Sequence, residues 1–355
     1  MEDITLVLAD GRITTCSLDN DPDLFRAALV SLGSLGILTR ITLRASPQYN
    51  LEYTTETISL ERFLADYNAI WTSAMYVRAW WWPYSRKVVI WRGNRTNSPP
   101  SPPHESALAK WWSSSVLDKR IYQSSLYALR YKPSLLPTLE KALFRTKFPG
   151  KENVVSQELV GKAHDVLQMD CLFSQYVDEW AVNLSSGVEA ISRLDRWLTH
   201  QDTSRETGVP THVGKVFVHA PIEIRVSSGQ GDYAYLSPTR EGTPTVWIGV
   251  IMYRPYYSPT SYRRYFTAYE QLMRSLGGKP HWAKQFNLSA REVETIFGEG
   301  MLKWKAVCAR VDPTGVFVNG FVKRHLLGKE GTEEGGVGFR DGDIGRLHKR
   351  FRAVL

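Results

Sequence analysis

The chain has 355 residues, 43% of them hydrophobic, enough for one large core or two modest ones, so two packed units are expected. Its formal net charge of +8 would suit an anionic partner, but the lysines and arginines are scattered and no DNA- or RNA-recognition motif accompanies them, which argues against a nucleic-acid binder. Three widely spaced cysteines make neither a disulfide framework nor a zinc site, the first residues carry no secretory pattern, and no apolar run is long enough to span a bilayer, which leaves only peripheral membrane attachment open.

Two β-prone runs, 4–8 and 12–16, flank Asp10 and Gly11, a pairing that predicts a hairpin. Asp21 then reads as an N-cap with Pro22 at the first helical position, and Phe25, Leu29 and Leu32 stripe a short helix that Gly33 stops. A strand follows over 37–43. These fifty residues are too few to close a core and read as part of a domain. Residues 75–94 have the aromatic and β-branched content of two strands around Pro83, while the proline-rich stretch 97–106 predicts an exposed loop. Residues 121–143 read as helical with a break at Pro133 to Pro137. Val188, Ile191, Leu194, Trp197 and Leu198 share one helix face, and Tyr262, Tyr265, Phe266, Tyr269, Leu272, Met273 and Leu276 share another. Between these helices two strands are predicted, 215–227 and 245–253. Ser289 and Glu292 make a capping box that opens a helix running to Pro313, and the Gly- and Glu-rich stretch 328–346 reads as mobile. Helices alternating with long antiparallel-type strands give an α+β class.

Candidate chemistry concentrates in three segments. On a strand over 215–227, Val216, Val218, Ala220, Ile222, Ile224 and Val226 share an apolar face, so Phe217, His219, Glu223 and Arg225 share the other. Taken alone, Glu223 and Arg225 read as a solvated or cross-strand ion pair. In PHWAK, residues 280–284, Lys284 can act as a fixed cation, His281 can be structural, and Trp282 reads as core. Gly33 and Gly36 in the run 31–38 permit close backbone approach, though Gly33 also suits a helix C-cap. No metal motif, P-loop or serine-triad signature occurs. Asp178 and Glu179 make a poor glycosidase pair, because adjacent residues on a regular element diverge.

The run VFVHAPIEIRVSS, PHWAK and DPTGVF, with DCLFSQYVDEWAV and FVNG, resemble the sugar-lactone oxidases of the vanillyl-alcohol-oxidase flavoprotein family, most closely the fungal D-arabinono-1,4-lactone oxidases. The resemblance implies an FAD enzyme that oxidises an aldono-1,4-lactone at C2 to an ascorbate-like product and passes the electrons to O2, giving H2O2. It implies that Glu223 and Arg225 hold the sugar hydroxyls. Lys284 then faces the charge that reduction places on the flavin, with His281 beside it, and Gly36 and Ile37 touch FAD through the main chain. By the same resemblance residues 1–50 are the end of an FAD-binding domain, 51–325 a substrate domain on a large antiparallel sheet with flanking helices, and 326–355 a tail. The family carries upstream a Gly- and Ser-rich pyrophosphate loop and commonly a histidine joined to the flavin. The eight histidines here begin at His104, so none matches that covalent tether. A shortened record of a full oxidase, a natural flavin-free remnant, and a sugar-lactone binding module all stay open. The fungal relatives imply a mitochondrial membrane location, and an uncovered flavin-side surface would favour aggregation.

Overall fold

The computed structural model describes residues 1–101, 116–150, 152–168, 171–199, 207–208, 216–230 and 233–328, and the predicted loop beyond 101 and mobile stretch beyond 328 lie outside them. The chain is an α+β protein of two compact units that are discontinuous in sequence, one from residues 1–44, 233–237 and 280 onward, the other from residues 45–232 and 238–279. The linear expectation of a single domain from 51 to 325 differs from this division, because residues beyond 280 group with the first 44.

In the first unit, strands β1 (Asp3–Val7) and β2 (Ile13–Ser17) pair antiparallel with Val7 opposite Ile13. The turn closes where Gly11 takes a φ of 83° and the Asp10 carboxylate accepts the Arg12 N–H at 3.0 Å. Helix α1 (Pro22–Ala28) starts as read, with the Asp21 side chain accepting the Leu24 N–H at 3.1 Å. Strand β3 (Ile37–Thr42) then pairs with β1 on the side away from β2, so it is a sheet edge. That edge is apolar and bare: Ile37 is 58% exposed and Leu38, Ile41 and Leu43 are exposed as well.

The second unit is built on one sheet. Its strands are β4 (Asn50–Ser59), β5 (Tyr76–Trp82), β6 (Lys87–Thr96), β7 (Leu159–Lys162), β8 (Gln175–Asn183), β9 (Ile222–Ser227) and β10 (Thr245–Tyr253). They pair antiparallel in the order β8-β10-β9-β5-β6-β4-β7, and the two-residue β11 (Lys279–Pro280) lies beside β8. Between the strands come helices α2 (Leu60–Ala65), α3 (Tyr67–Trp71), α4 (Val116–Leu129), α5 (Leu136–Lys147), α6 (Ala163–Leu167), α7 (Gly187–Leu198) and α8 (Arg263–Ser275). The apolar stripes of α7 and α8 are buried as their spacing predicts, apart from Val188 at the start of α7, which is exposed, and Tyr262 and Leu276, half-buried at the two caps of α8. Among the described residues no helix is long and apolar enough to cross a membrane.

After β11 the chain forms α9 (Ala290–Phe297), α10 (Glu299–Val311) and α11 (Gly320–His325). Ser289 and Glu292 make the expected capping box, but the single helix read from there to Pro313 is two, because Gly298 adopts a φ of 53° between them. These helices close the first unit. Arg310 grips Asp21 through two bonds of 2.9 Å, Trp304 Nε1 donates to the Val30 carbonyl at 3.1 Å, and Asn319 Nδ2 donates to the Leu32 carbonyl at 2.8 Å. The Arg310 hydrogen bonds hold the Asp21 carboxyl below its usual range.

The strand read over 215–227 is shorter than expected: it begins at Ile222, residues 216–221 are not strand, and Lys215 lies outside the described residues. His219 therefore does not line up with Glu223 and Arg225. It is buried, its Nε2 accepts the Tyr253 N–H at 2.7 Å, and its ring stacks on Tyr253. Burial pushes its pKa down to about 4. Because the folded value lies below the unfolded one, this histidine supports the fold above pH ~6.5, and the support is lost as pH falls toward 4. Relative to a His219→Gln variant, the wild type should lose about 3 kcal/mol of urea-unfolding stability between pH ~6.5 and ~4. A constant difference across that range would rule out a neutral buried imidazole.

Candidate active site

Directly opposed residues in antiparallel strands share a face, so the sheet register fixes which side chains meet. One row runs across β5, β9, β10 and β8 as Trp80, Glu223, Gly249 and Glu179. The next row on the same face is Arg78, Arg225, Trp247 and Ala181. Glu223 and Arg225, two residues apart on β9, thus stand on this face together, while Ile222 before them and Ile224 between them point into the core at 0% exposure.

The register also brings in two groups that sequence reasoning passed over. Arg78 Nε lies 3.8 Å from Glu223 Oε1, the same distance as Arg225 Nε, so this carboxylate sits between two guanidiniums. Glu179 is buried at 3% exposure, and its Oε1 accepts a short hydrogen bond from Arg225 Nη2. Burial works against the charge on Arg225, but Glu179 and Glu223 outweigh it and raise its pKa above the ordinary arginine value. Arg78 is shifted the other way by burial, with Glu223 opposing. Arg78 leans its guanidinium toward the buried Trp80 ring at 5.7 Å. Alternation along β8 turns Asp178 and Glu179 to opposite faces, and only the register across β10 puts Glu179 on the face of Glu223.

Asp178 does lie there, at 0% exposure beneath α8, where it accepts from Trp180 Nε1 at 3.0 Å. Burial, then the nearby Glu270, push its carboxyl well above the usual carboxylate range. Tyr269 ties α8 to this layer by accepting the Trp180 N–H at 3.2 Å and donating to the Ile248 carbonyl. The charged face is thus backed by a buried layer hydrogen-bonded to α8.

The remaining predicted residues belong to the first unit. PHWAK is a tight turn in which the His281 carbonyl accepts the Lys284 N–H at 2.9 Å and His281 Nδ1 accepts the Ala283 N–H at 3.1 Å. Trp282 is packing material: it stacks on Phe297 at 4.7 Å, meets Phe286 and Phe321 edge-on, and donates to the Leu236 carbonyl. Lys284 is half-buried at the end of this turn. DPTGVF is a loop organised by Asp312, whose carboxylate accepts the N–H groups of Val316 and Phe317 at 2.8 and 2.7 Å. Gly36 has a φ of 142°, and a Cβ there would stand 2.5 Å from the Val7 carbonyl oxygen, so its closest approach is to β1 of its own chain. Ile37 starts the exposed β3.

Residues 41–325 match the family described as D-arabinono-1,4-lactone oxidase. A putative D-arabinono-1,4-lactone oxidase of Neurospora crassa is 33% identical over 92% of this chain, and the D-arabinono-1,4-lactone oxidase of Eremothecium gossypii is 32% identical over 89%. The chain spans 62% of the length of the first and 68% of the second. In fold it is similar to cholesterol oxidase from B. sterolicum, with a TM-score of 0.67 at 17% identity, covering 92% of this chain and 68% of that one. The xylooligosaccharide oxidase of Myceliophthora thermophila follows with a TM-score of 0.54 at 11% identity, covering 94% of this chain and 66% of that one. With most of its length matched, including the sheet that carries Glu223 and Arg225, the chain belongs to the D-arabinono-1,4-lactone oxidase family.

Proposed function

We propose that this chain serves the oxidation of an aldono-1,4-lactone, of the D-arabinono-1,4-lactone type, at C2. The observation that carries the reading is the carboxylate of Glu223 and the guanidinium of Arg225 on one sheet face, and family membership supports the substrate class. Arg225 donates to the lactone's oxygens and fixes the ring against the sheet. Glu223 accepts the hydrogen bond of the C2 hydroxyl and draws its proton as the carbon loses hydride. Bound FAD would supply the acceptor for that hydride, with O2 as the final acceptor of the electron pair and H2O2 as the product. The first unit's residues suit such a group. Ile37, Leu38 and Ile41 form an exposed apolar strand for a flat ring, and Lys284 is a half-buried ammonium for the negative charge that reduction creates. The net charge of +8 fits a place at an anionic membrane surface such as the mitochondrial one.

Titration calorimetry of the 355-residue chain with D-arabinono-1,4-lactone tests this reading. Saturable binding is expected, with a loss of about tenfold or more in Glu223→Gln, which keeps the shape of the side chain and removes the anion. Flavin added to the same protein should give visible absorbance that survives gel filtration. Lactone binding without retained flavin would favour the alternative of a sugar-lactone binding module without catalysis. A wild type that binds no lactone would end both readings.

A further inference from the structure

Arg225 does not make its short contact with the carboxylate beside it on β9. Glu223 is 3.8 Å away, too far for a hydrogen bond, and the guanidinium reaches instead to Glu179 on β8, two strands over. The path crosses Gly249, the one position of the row without a side chain. A Cβ at Gly249 would already stand 3.7 Å from Glu179 Cγ and 3.8 Å from the Glu223 carbonyl oxygen, so larger side chains would fill the gap the guanidinium crosses. Burial explains the choice: Glu179 has 4% of its side chain exposed against 20% for Glu223, and an ion pair strengthens as water is removed from it.

The alternation of β5, β8, β9 and β10 puts four charged side chains on this face, Arg78, Arg225, Glu179 and Glu223. Among the described residues of these four strands, two guanidiniums and two carboxylates balance. An uncharged ring with several hydroxyls finds donors and acceptors side by side there, whereas an ionic ligand meets a balanced set. An aldonolactone opens in water to an aldonate, which adds a carboxylate and the C4 hydroxyl freed from the ring.

We infer that Glu179 is the positioning and specificity residue of this site: it draws Arg225 across the gap at Gly249 and away from Glu223, and it balances the charge so that the uncharged lactone is selected over the open-chain aldonate. This rests on the lactone reading above. With Glu179 neutralised, Arg225 turns to Glu223, occupies the acceptor a hydroxyl would use, and leaves the face one positive charge in excess.

Glu179→Gln decides it by calorimetry with D-arabinono-1,4-lactone and D-arabinonate at pH 7. The wild type should prefer lactone by about tenfold or more, and the variant should lose about tenfold in lactone affinity while gaining several-fold for aldonate. Arg78→Gln changes the charge the other way and should weaken aldonate binding further, a second measurement that stands if Glu179→Gln does not fold. The guanidinium NMR signals of Arg225, assigned by their loss in Arg225→Lys, should be slowly exchanging in the wild type and shift in Glu179→Gln. An unchanged lactone-to-aldonate ratio in both variants, or an Arg225 signal indifferent to Glu179, overturns the inference. A wild type that binds neither compound removes the lactone reading and with it the selectivity, and the Arg225 signal then reports on the positioning alone.

Discussion

Replacing Arg225 with Ala should abolish lactone binding, by about a hundredfold or more, and also cost the protein about 3 kcal/mol in urea unfolding. The first effect follows from the loss of the guanidinium proposed to fix the ring. The second comes from Glu179, which is 3% exposed and would lose the guanidinium whose hydrogen bond it accepts. A buried carboxylate stripped of its partner costs roughly 3–5 kcal/mol, and the lower end applies here because 40% of the Arg225 side chain is open to water that can enter in its place. The two effects separate in a double variant. Adding Glu179→Gln to Arg225→Ala removes the stranded charge and should return most of the stability, while lactone binding stays lost. If the double variant is as unstable as the single one, the cost lies in packing rather than in charge.

Gly36→Ala should destabilise the first unit by about 3 kcal/mol or more, because two penalties fall on one residue. Its φ of 142° is a conformation that residues with a side chain rarely adopt, and the added Cβ would press to 2.5 Å on the Val7 carbonyl oxygen and 3.3 Å on its carbon. Both atoms are backbone in β1, opposite the start of β3, so nothing there can swing aside. Gly11→Ala is the matched control: φ is 83°, yet nothing lies within 4 Å of the new methyl, and about 1 kcal/mol is expected. Amide exchange of β1 would report the difference. If Gly36 served only to admit a cofactor, the variant would unfold like the wild type and lose flavin absorbance alone.

Where the chemistry of a short segment decides its shape, the sequence was readable. The Asp10 and Gly11 turn, the Asp21 cap, the Ser289 and Glu292 box and the limits of β10 all depend on neighbours within a few residues. The strand β4 escaped because its polar threonines and glutamates resemble a surface loop, and their partners are 32 to 42 residues away on β6. The start of β9 was misplaced because residues 216–221 alternate like a strand, while His219 and Ala220 are buried for tertiary reasons. In the candidate site, Glu223 and Arg225 were legible from their spacing and from the resemblance. Arg78 and Glu179 were not, since no linear pattern states that residues 78, 179 and 225 meet across three strand boundaries. The helix break at Gly298 was also missed, for a glycine inside an apolar stripe reads equally as a packing residue.

The bonds from Arg310 to Asp21, Trp304 to Val30 and Asn319 to Leu32 each span more than 270 residues. On the ribosome, residues 1–44 emerge well before residues 290–325, so the first unit has to wait for more than 270 further residues before its stabilising helices exist. The sheet of the second unit, assembled largely from contacts among its own residues, can mature in the interval. Throughout that delay β3 offers its naked apolar edge to any passing strand, so synthesis speed and chaperone supply, more than the equilibrium strength of the finished fold, should govern how much soluble protein a cell recovers.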